Sequence, residues 1–468
     1  MSEVKNFFKP SSVAVVGASS QEEKVGNVIL NNILYGSKEN KQKNIFGGFK
    51  GRIYPINPKT NKISGLKSYS SLADVPLKIE LAIICVPLKA VKQVIQDCGK
   101  KEIKSAVIIT AGFSEAGEEG KKLEEELLAE ARKYGVRIIG PNCLGIMSIF
   151  SNLNATFGDS MPISGPISFV SQSGALCTSI INYSFEEHLG FSNFISIGDK
   201  SDVDDADLLQ YFHKDEKTKC IMLYIESLKN ARQFYEIAKR VVRDKPVVAF
   251  KSGYTEEGAK ATSSHTGSIA GSDIAYDAAF KQAGVFRART LSQLFDASRA
   301  LAYQPVPKGE NIAILTNAGG PGVLAADTAY SLGLKLSKLR NDTIKKLNDC
   351  CPSNWSRRNP VDIIGDATAQ RYETALDIIM NANEVDGIVI LLSPVATANT
   401  MNIAERIVDI QKQVKKPITV SFVGMIAHES ENYLDRNGIP EIEYPERAVF
   451  AMYALIERMR FLHKEGLI

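Results

Sequence analysis

The sequence predicts an α/β protein built on doubly wound, mostly parallel sheets. Short β-branched apolar runs alternate with amphipathic stretches along the whole chain, the alternation restarts twice after breaks, and small-residue turns follow several of the apolar runs. With 468 residues, 44% hydrophobic and 23% charged, the chain has room for about three domains of roughly 150 residues each.

The first unit reads as strands at 13–16, 53–56, 81–86, 106–109 and 136–139, with helical patterns between them. The rhythm resumes at 167–170, 221–225 and 247–250, and again at 312–315, 387–392 and 418–423. Gln304-Pro305-Val306-Pro307-Lys308-Gly309 is a plain linker, because two prolines and a glycine stand between a helical segment and a fresh strand. The other crossing falls at Gly140-Pro141-Asn142-Cys143-Leu144-Gly145, and residues 151–165 are compatible with either neighbour. The expected domains are therefore 1–145, 146–304 and 309–468.

A net charge of +3, from 56 basic and 53 acidic residues without a long basic run, gives no footprint for nucleic acid or an anionic membrane. Seven cysteines form no Cys-x-x-Cys pair, and adjacent Cys350 and Cys351 are poorly placed to bond each other. A reduced, cytoplasmic protein is the expectation. The N-terminal residues lack an apolar segment followed by a cleavage site, and no stretch approaches the roughly 20 apolar residues of a membrane span. Small molecules are the expected substrates.

The first strand runs into Val16-Gly17-Ala18-Ser19-Ser20, a turn bare enough to let a phosphate approach the backbone, although a glycine turn required only for tight strand–helix packing has the same look. It is not a full G-x-G-x-x-G fingerprint. The second strand ends Tyr54-Pro55-Ile56-Asn57-Pro58-Lys59, where a dinucleotide-binding unit would place an acid for the ribose hydroxyls. Lys59 suits a phosphorylated ligand better, which weakens an NAD-dependent oxidoreductase.

Ser171-Gln172-Ser173-Gly174 follows a strand in the second unit, and Thr316-Asn317-Ala318-Gly319-Gly320 repeats the device in the third. Hydroxyls and bare N–H groups there make an oxyanion cradle, or simply a capped helix start. The acidic run from Asp199 to Asp207 matches no Ca²⁺ loop, so a solvated face or helix cap is expected and no metal ligands are assigned.

His265 sits in Ser263-Ser264-His265-Thr266-Gly267-Ser268, among residues too small to bury an imidazole, and reads as a mobile nucleophile phosphorylated during turnover. A helix is expected to open near Gly271-Ser272-Asp273, placing the histidine just ahead of an anion-favouring N-terminus. Glu226, at the end of the apolar strand Tyr224-Ile225-Glu226-Ser227, could hold one ring nitrogen and leave the other free.

Taken together and in order, GAS, GPNCLG, SFVSQSGAL, DVDDADLL, YIES, ATSSHTGSIAGSD and LTNAGGPGV closely resemble the α subunit of ADP-forming acyl-CoA synthetases, relatives of succinyl-CoA synthetase. The resemblance runs from about Ser11 to the C-terminus. It implies a Rossmann-like CoA-binding domain followed by two flavodoxin-like CoA-ligase domains. The implied reaction is acyl-CoA + ADP + phosphate ⇌ carboxylic acid + CoA + ATP, through an acyl phosphate and a phosphohistidine at His265, with Mg²⁺ accompanying the nucleotide. By the same resemblance Glu226 orients the histidine, and Ser171, Ser173 and Gly174 hold phosphate. Gly17, Ala18, Ser19, Lys59, Val86, Pro87, Thr110 and Ala111 fall in segments that contact CoA.

The resemblance also implies a separate ATP-grasp β subunit in an α2β2 assembly, because no nucleotide-binding domain of that kind is recognisable here. One departure stands out: the family usually has Asn where this chain has Asp199. Either Asp199 points away from the acyl phosphate or substrate handling differs. The alternative reading is a CoA-binding or acyl-CoA-sensing regulatory module without turnover.

Overall fold

The computed structural model describes every residue except 1, 44, 46, 267–271, 394–398 and 425–427, with backbone alone at 2–3 and 262–266. Two compact units result, Met1–Val285 and Phe286–Ile468.

The first unit holds two large sheets and a two-stranded ribbon of Lys62–Ile63 and Leu66–Lys67. In the first sheet, Arg52–Ile56, Ser12–Val16, Leu81–Ile84, Ser105–Ile108 and Arg137–Ile139 lie side by side in that order, all parallel. Val13 to Val16 and Leu81 to Ile84 are buried on both faces, which is why these strands read as unbroken apolar runs rather than alternating ones. The strand order reverses between Ser12–Val16 and Leu81–Ile84, and ligands of open α/β sheets gather outside the strand ends at such a point. The 81–86 run stops as a strand at Ile84, because Pro87 opens the helix Leu88–Lys100.

The second sheet carries the parallel order Val247–Lys251, Cys220–Ile225, Ser164–Ser171, Phe191–Ser196, and then the hairpin Gly145–Ser148 and Leu153–Thr156, which runs antiparallel. Phe191–Ser196 was not legible as a strand, since Ser192, Asn193 and Ser196 interrupt its apolar pattern. All three are nonetheless buried. The Ser168 hydroxyl meets Ser192 Oγ at 2.9 Å and Thr218 Oγ1 at 2.8 Å, Asn193 Nδ2 donates to Asp215 Oδ2 at 3.3 Å, and Ser196 Oγ accepts the Leu144 N–H at 3.0 Å. Polar groups bury here because each finds a partner.

In the second unit, Lys335–Leu336, Asn311–Thr316, Gly387–Leu392 and Ile418–Phe422 form a parallel sheet, over a core that includes Leu315, Trp355, Tyr372, Ile390 and Val420. Among the described residues no helix is long and apolar enough to cross a membrane.

Candidate active site

At the switch point of the first sheet the backbone turns sharply. Gly17 has φ +95°, and a Cβ there would lie 2.5 Å from the Cys85 carbonyl oxygen, so only glycine fits. The neighbouring chain is pinned by amides: Asn57 Nδ2 donates to Ala18 O at 2.7 Å, Asn57 Oδ1 accepts the Lys59 N–H at 2.7 Å, and Asn27 Nδ2 donates to Ser19 O at 2.8 Å. Asn57 thus ties the first turn to the second, a role that its place in the dinucleotide pattern did not reveal. Gly17, Ala18, Ser19, Lys59, Val86 and Pro87 line one cleft of about 840 Å³, within the range of small-molecule sites.

A second cleft of about 720 Å³ is lined by Thr110, Ala111, Asn142, Ser173 and Gly174. Val25, Cys85 and Val86 line both clefts, so the two share a wall. Thr110 Oγ1 donates to Val86 O at 2.7 Å, fixing the ends of adjacent strands to each other. Burial pushes the Cys85 thiol up to about 12, which keeps it protonated and inert on this wall near neutral pH.

Ser173 caps the helix Gly174–Glu186, its Oγ accepting from Leu176 N at 3.3 Å. Ser171 does not itself line the cleft. Its hydroxyl accepts the Ser173 N–H at 3.0 Å and donates to Ser173 O at 3.0 Å, folding the turn so that the helix N-terminus faces the second cleft. Gln172, whose role the sequence did not disclose, extends to the next strand end, where its Oε1 accepts the N–H groups of Glu226 at 2.6 Å and Ser227 at 2.9 Å.

Glu226 is buried beside that bridge and lines neither cleft. The expected small-residue loop around His265 is corrected in part: the backbone is helical over Glu256–Thr266. Thr255 starts that helix, its Oγ1 accepting the Gly258 N–H at 3.1 Å, and Ala259, Lys260 and Ala261 propagate it. The His265 side chain, and with it the expected contact with Glu226, lies outside the described residues. The following helix is Asp273–Ala283, preceded by Ser272 as expected, but the Ser272 side chain makes no cap hydrogen bond.

The acidic run resolves into separate structural tasks. Asp204 forms a capping box with Asp207 at the helix Asp205–Lys214, while Asp202 and Asp207 bind Arg137 at 2.9 and 2.8 Å. Asp199 lines neither cleft; its Oδ1 accepts from Asn142 Nδ2 at 3.2 Å, and Asn142 does line the second cleft. Burial, then the neighbouring Glu115 carboxyl, lift Asp199 to about 8.

Comparison with known proteins places these features in order along the chain. A CoA binding domain matches residues 11–148, a succinyl-CoA ligase like flavodoxin domain residues 164–301, and a ligase-CoA domain residues 312–461. The chain is 43% identical to subunit alpha of acetate–CoA ligase [ADP-forming] II of Pyrococcus furiosus, over 97% of each chain. It is 44% identical to acetate–CoA ligase [ADP-forming] of Methanocaldococcus jannaschii, over 96% of this chain and 62% of that one. Among solved structures it resembles acetyl-coenzyme A synthetase 1 of Ca. Korarchaeum cryptofilum in complex with phosphate and ADP, with a TM-score of 0.93 and 40% identity over 100% of both chains. The three matched domains follow one another along the chain, relatives at 43% and 44% identity cover nearly all of it, and the chain belongs to the α-subunit family of the ADP-forming acetate–CoA ligases.

Proposed function

We propose that this chain is the α subunit of an ADP-forming acyl-CoA synthetase, acting as an acid–thiol ligase. The observation that carries this reading is the shared wall of the two clefts. CoA held along Gly17, Ala18, Ser19 and Lys59 would bring its thioester past Val86, Thr110 and Ala111 to the helix N-terminus at Ser173 and Gly174. Inorganic phosphate bound there would attack the thioester carbon, expelling the CoA thiolate and leaving an acyl phosphate. His265 would then take the phosphoryl group, releasing the carboxylate, and pass it to ADP to give ATP. Each transfer depends mainly on positioning and charge neutralisation, which a helix N-terminus supplies. Glu226 is assigned the orientation of His265.

Residues 1–145 are assigned to CoA binding, 146–304 to the phosphohistidine chemistry and 309–468 to the second ligase-type domain. A separate ATP-grasp subunit, in an α2β2 assembly, is proposed to hold the nucleotide and its Mg²⁺. Two observations support a partner: the Pyrococcus relative is named a subunit alpha, and the Methanocaldococcus ligase extends well beyond the region matched here. Among the described residues no cluster of three His, Cys, Asp or Glu side chains could hold a metal ion. The seven thiols are free, which supports a cytoplasmic location. The relatives named above are ligases, and none of them supports a sensing module without turnover.

The test mixes the chain with its partner subunit, Mg²⁺ and labelled ATP, and maps acid-labile, base-stable phosphate by mass spectrometry. Label on His265 that ADP discharges, and its loss in His265→Asn with CoA binding retained, is the expected result. Turnover retained by His265→Asn would refute the mechanism.

A further inference from the structure

Two carboxyl groups meet behind the wall of the second cleft. Glu115 stands on the turn Ser114–Ala116 and Asp199 on the loop after the strand Phe191–Ser196. Glu115 Oε1 accepts the Gly112 N–H, and Asp199 Oδ1 accepts from Asn142 Nδ2. Their other oxygens, Glu115 Oε2 and Asp199 Oδ2, are buried, and neither has a donor. After burial, the Glu115 carboxyl is the neighbour that most raises the Asp199 carboxyl above its ordinary range. Two ionised carboxylates can only accept, so such a contact is satisfied when one proton lies between them.

We propose that Asp199 works as a neutral carboxyl group, donating its proton to Glu115 Oε2 and accepting from Asn142, and so acts as a positioning residue for Asn142 on the phosphate-facing wall. In this state Asp199 offers one donor and one acceptor, as a carboxamide would. Loss of the proton removes the donor and places a second buried negative charge beside the cleft that receives phosphate.

The surrounding charges favour retention of the proton. On the helix Glu118–Tyr134, Glu124 adds negative charge, offset at 3.7 Å by Lys229. Lys200, next in the chain, is committed to Asp205 at 2.5 Å. On the loop 140–145 the Cys143 thiol is neutral, its burial holding it well above its ordinary range. The helix Glu256–Thr266, which bears His265, packs on the turn that carries Glu115, and there Lys260 is paired with Glu257 at 2.8 Å. No cation on these elements directly neutralises the Glu115–Asp199 contact among the described residues.

The proposal is tested first on the chain alone, which separates it from the reading under Proposed function. Infrared difference spectra across a pH titration from 6 to 9.5 should show a protonated carboxyl at pH 7 that is lost near pH 8 and is missing from Asp199→Asn. The absence of an Asp199-dependent band at pH 7 would overturn the proposal. With the partner subunit, wild-type turnover should fall about tenfold per pH unit above the dyad's midpoint, whereas Asp199→Asn should hold its rate over the same interval. Glu115→Gln, whose amide donates to Asp199 and leaves it ionised, should depress turnover already at pH 7. Superimposable alkaline limbs in wild type and Asp199→Asn would also overturn the positioning role. An Asp199-dependent band in a chain that never becomes phosphorylated would refute the ligase reading and support the shared proton.

Discussion

Gln172 bridges two strand ends: its side-chain oxygen accepts the backbone N–H of Glu226 at 2.6 Å and of Ser227 at 2.9 Å. The second unit contains the same device. There Asn317 Oδ1 accepts the Ser393 N–H at 2.8 Å, Asn317 Nδ2 donates back to Ser393 O at 2.8 Å, and Thr316 Oγ1 takes the Ala318 N–H at 3.0 Å, as Ser171 takes that of Ser173. Strand register pairs Ser171 with Tyr224 and Thr316 with Leu391, so Ser393 occupies the place of Glu226. The two turns share their hydrogen bonding, but only the first sets a carboxylate at the strand end. That asymmetry is a physical reason to assign imidazole orientation to the first unit.

Gln172→Leu keeps the size and removes the acceptor. Two part-buried N–H groups then lose their partner, at about 1–3 kcal/mol each. Urea unfolding of the first unit should shift accordingly, and His265 phosphorylation should slow because Glu226 is no longer held. A variant with unaltered stability and unaltered labelling would show that the bridge does nothing for the site.

Gly17→Ala tests the first cleft. The added methyl would sit 2.5 Å from the Cys85 carbonyl, at a φ of +95° that alanine avoids. The turn must shift to relieve it, so CoA affinity should drop at least tenfold, or about 1.4 kcal/mol, by calorimetry. Ser173→Ala, by contrast, should leave CoA affinity near wild type while costing about 1 kcal/mol of stability through the lost cap. Equal CoA binding by Gly17→Ala and wild type would remove this turn from the CoA site.

In the second unit Glu310 accepts from Arg460 Nε at 2.8 Å and pairs with Lys335 at 2.8 Å, and these bonds hold its carboxyl down at about 2. A depressed carboxyl stabilises the fold above its unfolded value near 4.3 and loses that contribution as pH falls towards the folded value. Glu310→Gln should therefore melt lower than wild type at pH 7, by an amount worth less than about 1 kcal/mol because water screens the pair. The difference should shrink steadily below pH 5. A gap that widens on acidification would contradict the assignment.

Legibility in the sequence followed burial. Strands with two buried faces, such as Leu81–Ile84 and Gly387–Leu392, announced themselves as apolar runs, whereas Phe191–Ser196 hid its strand behind serines and an asparagine that are satisfied by partners distant in sequence, among them Leu144, Ser168, Asp215 and Thr218. The glycine turn at Gly17 and the cap at Ser173 were readable because their chemistry is local. Asn57, Gln172 and Asn142 act across strand ends, and nothing in residue spacing says which strand will lie alongside. The helical backbone at His265 was obscured by Ser and Gly, which favour turns in isolation but yield to the good helix formers preceding them.

Asp199 makes stability depend on pH. Burial and Glu115 raise its carboxyl to about 8 in the folded chain, against an ordinary value near 3.9 when unfolded. From about pH 4 to about pH 8 the folded state keeps a proton that the unfolded state has released, so stability declines with rising pH across that window. Below it the contribution is fully present, and above it both states are ionised and the slope ends. Asp199→Asn has no proton to lose. Its melting temperature should match or modestly differ from wild type at pH 4–5, exceed it increasingly towards pH 8, and hold a constant lead beyond. Parallel melting curves for the two proteins between pH 5 and 9 would mean that Asp199 is ionised in the folded chain and that its contact with Glu115 carries no shared proton.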